Sequence, residues 1–233
     1  MSASPASMQR RQTDLELEVA DVHISVETRT AYAQALTQPT ALPKIRPKDM
    51  KDIKKKWTRR LQEIDDDLGL ELFSRLFRRC PSLMTVFRMK PDDLDSIEGN
   101  GRIISHARVV VNAFDELIVE LASLAAAGGG QLNGQPSEAG ERLAEKARKL
   151  GSRHVQMRQI GFTPLFWLVF AEGFVEVARR WNVAWYRMAR FTRVWRRLVC
   201  FTIANMRVGY DRQLQATPER RPVTSATTTT TAS

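Results

Sequence analysis

The sequence predicts an all-α domain, and three observations carry that expectation. Apolar residues recur every three or four positions, as in Leu68, Leu72 and Leu76 with Phe73 and Phe77 beside them. No stretch between turn signals alternates apolar and polar residues as a half-buried strand would. The strongest breakers, Pro81 and the glycine run at 128–130, fall between the periodic stretches rather than inside them.

Taken in order, residues 1–45 are polar and rich in Ser, Thr and Gln, with no sustained apolar period, and read as a disordered N-terminal extension. "DMKDIKKKWTRRLQEID" then places Ile53, Trp57, Leu61 and Ile64 on one helical face. "DLGLELFSRLFRRC" carries the broad Leu/Phe stripe and stops at Pro81. "GRIISHARVVVNAFDELIVELASLAAA" is a long helix with Ile103, Val110, Phe114, Leu117 and Leu121 on its apolar side. "AGGGQLNGQPSEAG" is a loop, and "ERLAEKARKLGSRHVQMRQIG" a helix with a loosened end. "TPLFWLVFAEGFVEVARRW" offers Thr163 as a cap and Pro164 in the first turn. The last helix, from "AWYRMARF" onward, is long and amphipathic. These elements define one domain over residues 46–213, and residues 214–233 read as a low-complexity tail.

The 233 residues are 43% hydrophobic, enough for a single sizeable core. No apolar run is long enough to span a bilayer, and the N-terminus lacks the apolar middle of a secretory signal. With only Cys80 and Cys200, this favours free thiols and a cytoplasmic, reducing setting. The net charge of +10 is uneven. Residues 44–60 hold nine Lys or Arg against two Asp, and residues 176–207 hold eight Arg against one Glu. Such runs could attract nucleic acid or an anionic membrane surface, or recruit acidic partners, but are most often solvated helix faces. No nucleic-acid partner is expected, and oligomeric state is not readable.

Motifs for catalysis are missing from the sequence: there is no phosphate loop, no Cys-x-x-Cys, no His-Glu-x-x-His and no nucleophile elbow. The run Asp65–Asp67 reads as a solvated corner. Trp167, Trp181, Trp185 and Trp195 stand at helical spacings and read as core or interface. Three histidines remain, and His23 lies in the N-terminal extension. His106 has Ile103, Val110 and Phe114 on its side of the helix, and His154 has Leu150 one turn before it. An imidazole facing an apolar side needs a partner. One reading makes both core histidines satisfied by backbone carbonyls. The other places a planar apolar ligand with a metal between them.

The region from Trp57 to Tyr210 resembles the globin family. "LGLELFSRLFRRCPSLMTVF" resembles the second globin helix, from its helix-crossing glycine (Gly69) to the proline that opens the third (Pro81). Phe87 follows six residues later, where globins place the phenylalanine that packs on the haem. His106 then falls at the distal position, with Val110 four residues on, and Phe73 stands where some members use tyrosine. "LGSRH" resembles the proximal segment, with Leu150 and His154 at leucine-to-ligand spacing and Ile160 six residues further. Leu165 and Leu168 match haem-facing positions, and Trp195 and Tyr210 match two terminal-helix signals fifteen residues apart. The long tails and the lengthened loop resemble invertebrate nerve-type or nematode members more than vertebrate oxygen carriers. Two departures stand out: Val109 replaces a common propionate-pairing base, and Arg153 replaces the orienting serine before the proximal histidine.

The resemblance implies a three-on-three helical sandwich around haem b (iron protoporphyrin IX). It implies His154 as proximal iron ligand and His106 as distal residue or sixth ligand. Phe73, Phe87, Val110, Leu150, Ile160, Leu165 and Leu168 would line the cofactor. Arg88, Lys90, Arg153 or Arg158 would pair with the propionates, and the Leu150 carbonyl would take the Nδ1 proton of His154. The implied function is reversible binding or transport of O2 or another diatomic gas, or, with two histidine ligands, redox or oxygen sensing with an external reductase. A haem enzyme (nitric oxide dioxygenase, nitrite reductase or superoxide source) and a helical interaction module are the alternatives.

Overall fold

The helices begin where polar side chains can satisfy their free amide protons. In the computed structural model, which describes residues 22–63, 67–127 and 132–217, Ser25 caps α1 (Val26–Thr37) by accepting from the Thr28 amide. Helix α2 (Pro47–Gln62) starts on a proline. Asp67 caps α3 (Leu68–Arg79), accepting from the amides of Gly69 and Leu70. The short α4 (Leu83–Val86) and a 3-10 segment (Pro91–Gly99) lead to Asn100, which caps the 26-residue α5 (Gly101–Ala126). Ser137 caps α6 (Glu138–Arg153), which tightens into a 3-10 segment (His154–Ile160). Helices α7 (Phe166–Arg179) and α8 (Trp185–Ala216) complete the chain. Among the described residues the only β pairing is an isolated bridge between Ala41 and Pro136, so the all-α expectation holds.

Helix α8 runs through the centre, packed on α1, α6 and α7, while α5 packs on α2 and α3, and α3 on α7. The core is unusually aromatic. Trp195 meets Trp181 at 4.9 Å, Phe174 at 5.0 Å and Trp57 at 5.8 Å between ring centres. Trp57 donates to Asp115 Oδ1 (2.8 Å) and Trp195 to the Phe174 carbonyl (3.2 Å), so two of the buried indole N–H groups have acceptors. No described helix is long and apolar enough to cross a membrane.

Four features differ from the sequence reading. First, residues 26–37 are helical rather than part of a disordered extension, and Val22, Ile24, Leu42 and Ile45 are buried. Periodicity could not reveal α1 because its buried residue is Thr28, a polar side chain held against α8 by Arg196 (3.1 Å). Second, the buried face of α2 is Met50, Ile53, Trp57 and Arg60; Leu61 is 40% exposed. Arg60 takes the inner place because Glu63 (3.1 Å) and Glu71 (3.0 Å) both accept from it. Third, α7 begins at Phe166 with Leu165 as its cap residue, and Thr163 contributes its backbone carbonyl, not its side chain. Fourth, α8 continues to Ala216, past residue 213. Ile64, Asp65, Asp66 and residues 128–130 and 218–233 lie outside the described residues, as does the rest of the N-terminal extension before residue 22.

Candidate functional site

Two close helix crossings set the positions of the two imidazoles. Gly69 on α3 lies against Ala107 on α5, and a Cβ at position 69 would stand 2.7 Å from the Ala107 Cβ. Only glycine lets the two backbones approach this far, and Ala107 is the neighbour of His106. Helices α6 and α8 cross through a reciprocal pair: a Cβ on Gly151 would collide with the Met206 carbonyl, and one on Gly209 with the Arg148 carbonyl. Gly151 sits three residues before His154, so this crossing places the second imidazole.

The two rings meet edge to face, with centres 6.1 Å apart and planes at 70°. His106 is flanked by Phe73 (5.5 Å) and Phe87 (5.5 Å), and those two rings also meet each other at 5.4 Å. His154 is flanked by Phe162 (5.2 Å) and Trp167 (5.6 Å), with Tyr210 behind Trp167 at 5.7 Å. The Leu150 carbonyl lies 2.9 Å from Nδ1 of His154. A carbonyl can only accept, so Nδ1 carries the proton and Nε2 keeps its lone pair. His106 has no hydrogen-bond partner among the described residues.

Burial, helped by the neighbouring His154, pushes His106 down to about 4. Burial also lowers His154, resisted by its bond to the Leu150 carbonyl. Both imidazoles are therefore neutral near pH 7, the form in which histidine binds a metal. Phe73 is buried, whereas Phe87, Val110, Ile160, Leu165 and Leu168 are only half-buried, although they lie on the elements that carry or flank the imidazoles. Two neutral imidazoles flanked by Phe73, Phe87, Phe162 and Trp167 fit an apolar ligand that supplies a metal.

The donor set itself discriminates between ligands. Among the described residues no group of three or more His, Cys, Asp or Glu side chains could hold a bare ion. Two opposed imidazoles instead suit a metal whose remaining ligands come with it, as in a porphyrin.

The structure thus gathers Phe73, Phe87, His106 and His154 into one contact chain, with Leu150 contributing through its carbonyl. Spacing does not mark Phe162 or Tyr210 as neighbours of this site, and it makes Trp167 core or interface. The available signal was that Trp167 lies between Leu165 and Leu168, both of which were singled out. Arg88, Lys90, Arg153 and Arg158 are exposed, and none makes an ion pair among the described residues. Arg88 adopts a left-handed backbone (φ 58°), directly after Phe87.

No curated protein and no solved structure matches the chain. The globin family model matches residues 70–200, more than half of the 233-residue sequence and the whole stretch from Leu70 through His106 and His154 to Cys200. With the all-α architecture and the opposed histidines inside the matched stretch, the chain belongs to the globin family.

Proposed function

We propose that the protein binds haem b, which His154 and His106 would hold, and acts in redox chemistry or oxygen sensing rather than bulk oxygen carriage. The observation that carries this reading is the 6.1 Å separation of the two rings, with the Nδ1 of His154 already committed to Leu150. Bound haem would supply an iron, held by His154 and His106, able to take up a diatomic gas or an electron.

The chain's own residues have separate tasks in this reading. The Leu150 carbonyl orients the His154 ring and raises the basicity of Nε2. Phe73 and Phe87 wall the His106 side and exclude water. Phe162 and Trp167 do the same behind His154. Arg88, Lys90, Arg153 and Arg158 are the unpaired cations available to carboxylates at the rim. His106, without a hydrogen bond to hold it, is free to yield its place to O2 or another diatomic ligand, which makes gas binding a competition with an internal group. A role in electron transfer then needs an external reductase.

Burying porphyrin faces at roughly 25 cal/mol per Å² couples cofactor binding to folding, so the haem-free chain is the looser form. The test is reconstitution with haem followed by titration of the Soret band. The reading expects one haem per chain, with His154→Ala losing it. Stoichiometric, normally ligated haem in His154→Ala would sink the assignment.

A further inference from the structure

Trp185 and Tyr186 open helix α8 with 88% and 70% of their surfaces in solvent. The other four tryptophans are buried. Leaving a whole indole in water forgoes a large burial term, and such side chains usually mark a contact surface.

This corner is also where the two basic runs of the sequence meet. Arg190 reaches Asp49 with two bonds of 2.7 Å, Arg187 pairs with Asp52, and the Lys56 ammonium donates to the Asn182 carbonyl. Asp49, Asp52 and Lys56 form the strip of α2 that faces α8, by the three-and-four spacing of a helix. Both aspartates of α2 are thereby neutralised. Lys48, Lys51 and Lys55 form the adjoining strip, exposed and without an ion pair among the described residues. Arg193 is exposed two turns beyond Tyr186. An aromatic tip thus stands beside a cationic face whose acidic partners are used up.

We propose that this α2–α8 corner docks on an anionic phospholipid bilayer, with Trp185 and Tyr186 entering the headgroup layer and Lys48, Lys51 and Lys55 facing the lipid phosphates. Indole and phenol rings prefer the membrane interface, and clustered lysines are drawn to anionic lipid. The two rings meet edge to face at 87° rather than lying parallel, which suits insertion better than stacking along a nucleic-acid strand. The inference does not depend on haem.

The test is co-sedimentation of the full-length chain with phosphatidylcholine vesicles containing about one third phosphatidylserine, against phosphatidylcholine alone. Binding is expected on the anionic vesicles only, falling steeply with salt. Trp185→Ser with Tyr186→Ser should lower the partition coefficient at least about tenfold, and Lys51→Glu with Lys55→Glu similarly. All four side chains are solvent-facing, so circular dichroism should be unchanged in these variants. Brominated lipid should quench tryptophan emission in the parent chain and not in Trp185→Phe. Equal binding to neutral vesicles, no binding to either, an unaffected aromatic double variant, or displacement from vesicles by a single-stranded oligonucleotide would each overturn the proposal.

Discussion

Gly69 of α3 and Ala107 of α5 are in backbone contact, so close that a Cβ at position 69 would also stand 3.1 Å from the Ala107 carbonyl oxygen. The crossing holds α5 at a fixed height over α3 and so sets where His106 lies relative to Phe73. Gly69→Val should force the helices apart and cost about 1–3 kcal/mol, the usual range for overpacking. Thermal unfolding and the ferric spectrum should change together, because the same shift moves His106. A variant with an unchanged melting temperature would show that the crossing is looser than described.

Glu172 on α7 holds the N-terminal segment. It accepts from the Ser25 hydroxyl (2.7 Å) and the Ser25 amide (3.2 Å). Burial alone would raise its carboxyl, but the bonds from Thr28 and Ser25, with Arg196 nearby, outweigh it and hold the group below its usual 4.5. A carboxyl depressed by folding stabilises above its unfolded value and stops doing so as pH falls through the folded one. Docking of α1 should therefore be strongest above about 4.5 and weaken in acid. Glu172→Ala should cost about 1–3 kcal/mol by leaving the Ser25 amide without its acceptor. Limited proteolysis reads both effects: cleavage between residues 22 and 45 should accelerate in the variant at neutral pH and in the parent chain in acid. Equal cleavage rates would contradict the latch.

Cys80 and Cys200 are buried and form no disulfide. Burial pushes the Cys200 thiol up to about 12, with Arg196 pulling it down and Glu172 pushing it up. The thiolate is the reactive form, so native protein at mildly alkaline pH should react with alkylating reagents at least about a hundredfold more slowly than denatured protein. Mass spectrometry after timed labelling checks this. Rapid stoichiometric labelling of Cys200 in the folded chain would contradict the burial.

Much of the candidate site was legible because its residues are tied by helical spacing. Leu150 and His154 are one turn apart, and Phe87, His106 and Val110 follow Gly69 and Pro81 at family intervals. Their grouping in space depends on crossings that spacing alone does not specify, such as Gly151 against Met206. Phe162 and Trp167 were harder to find, since an aromatic ring behind an imidazole leaves the same trace as an aromatic ring in a core. Helix α1 escaped because its fixing contacts are polar, Ser25 to Glu172 and Arg196 to Thr28, and polar contacts have no period. Trp185 was read with the other tryptophans as core or interface, and its exposure follows from the turn in direction at residues 180–184, which periodicity does not record.

The ferric absorption spectrum of the haem-loaded, full-length chain is the direct test of the proposed ligation of one haem iron by His106 and His154. A low-spin, six-coordinate spectrum is expected, turning high-spin in His106→Ala with haem retained through His154. A high-spin, water-ligated ferric spectrum in the unsubstituted chain would contradict it.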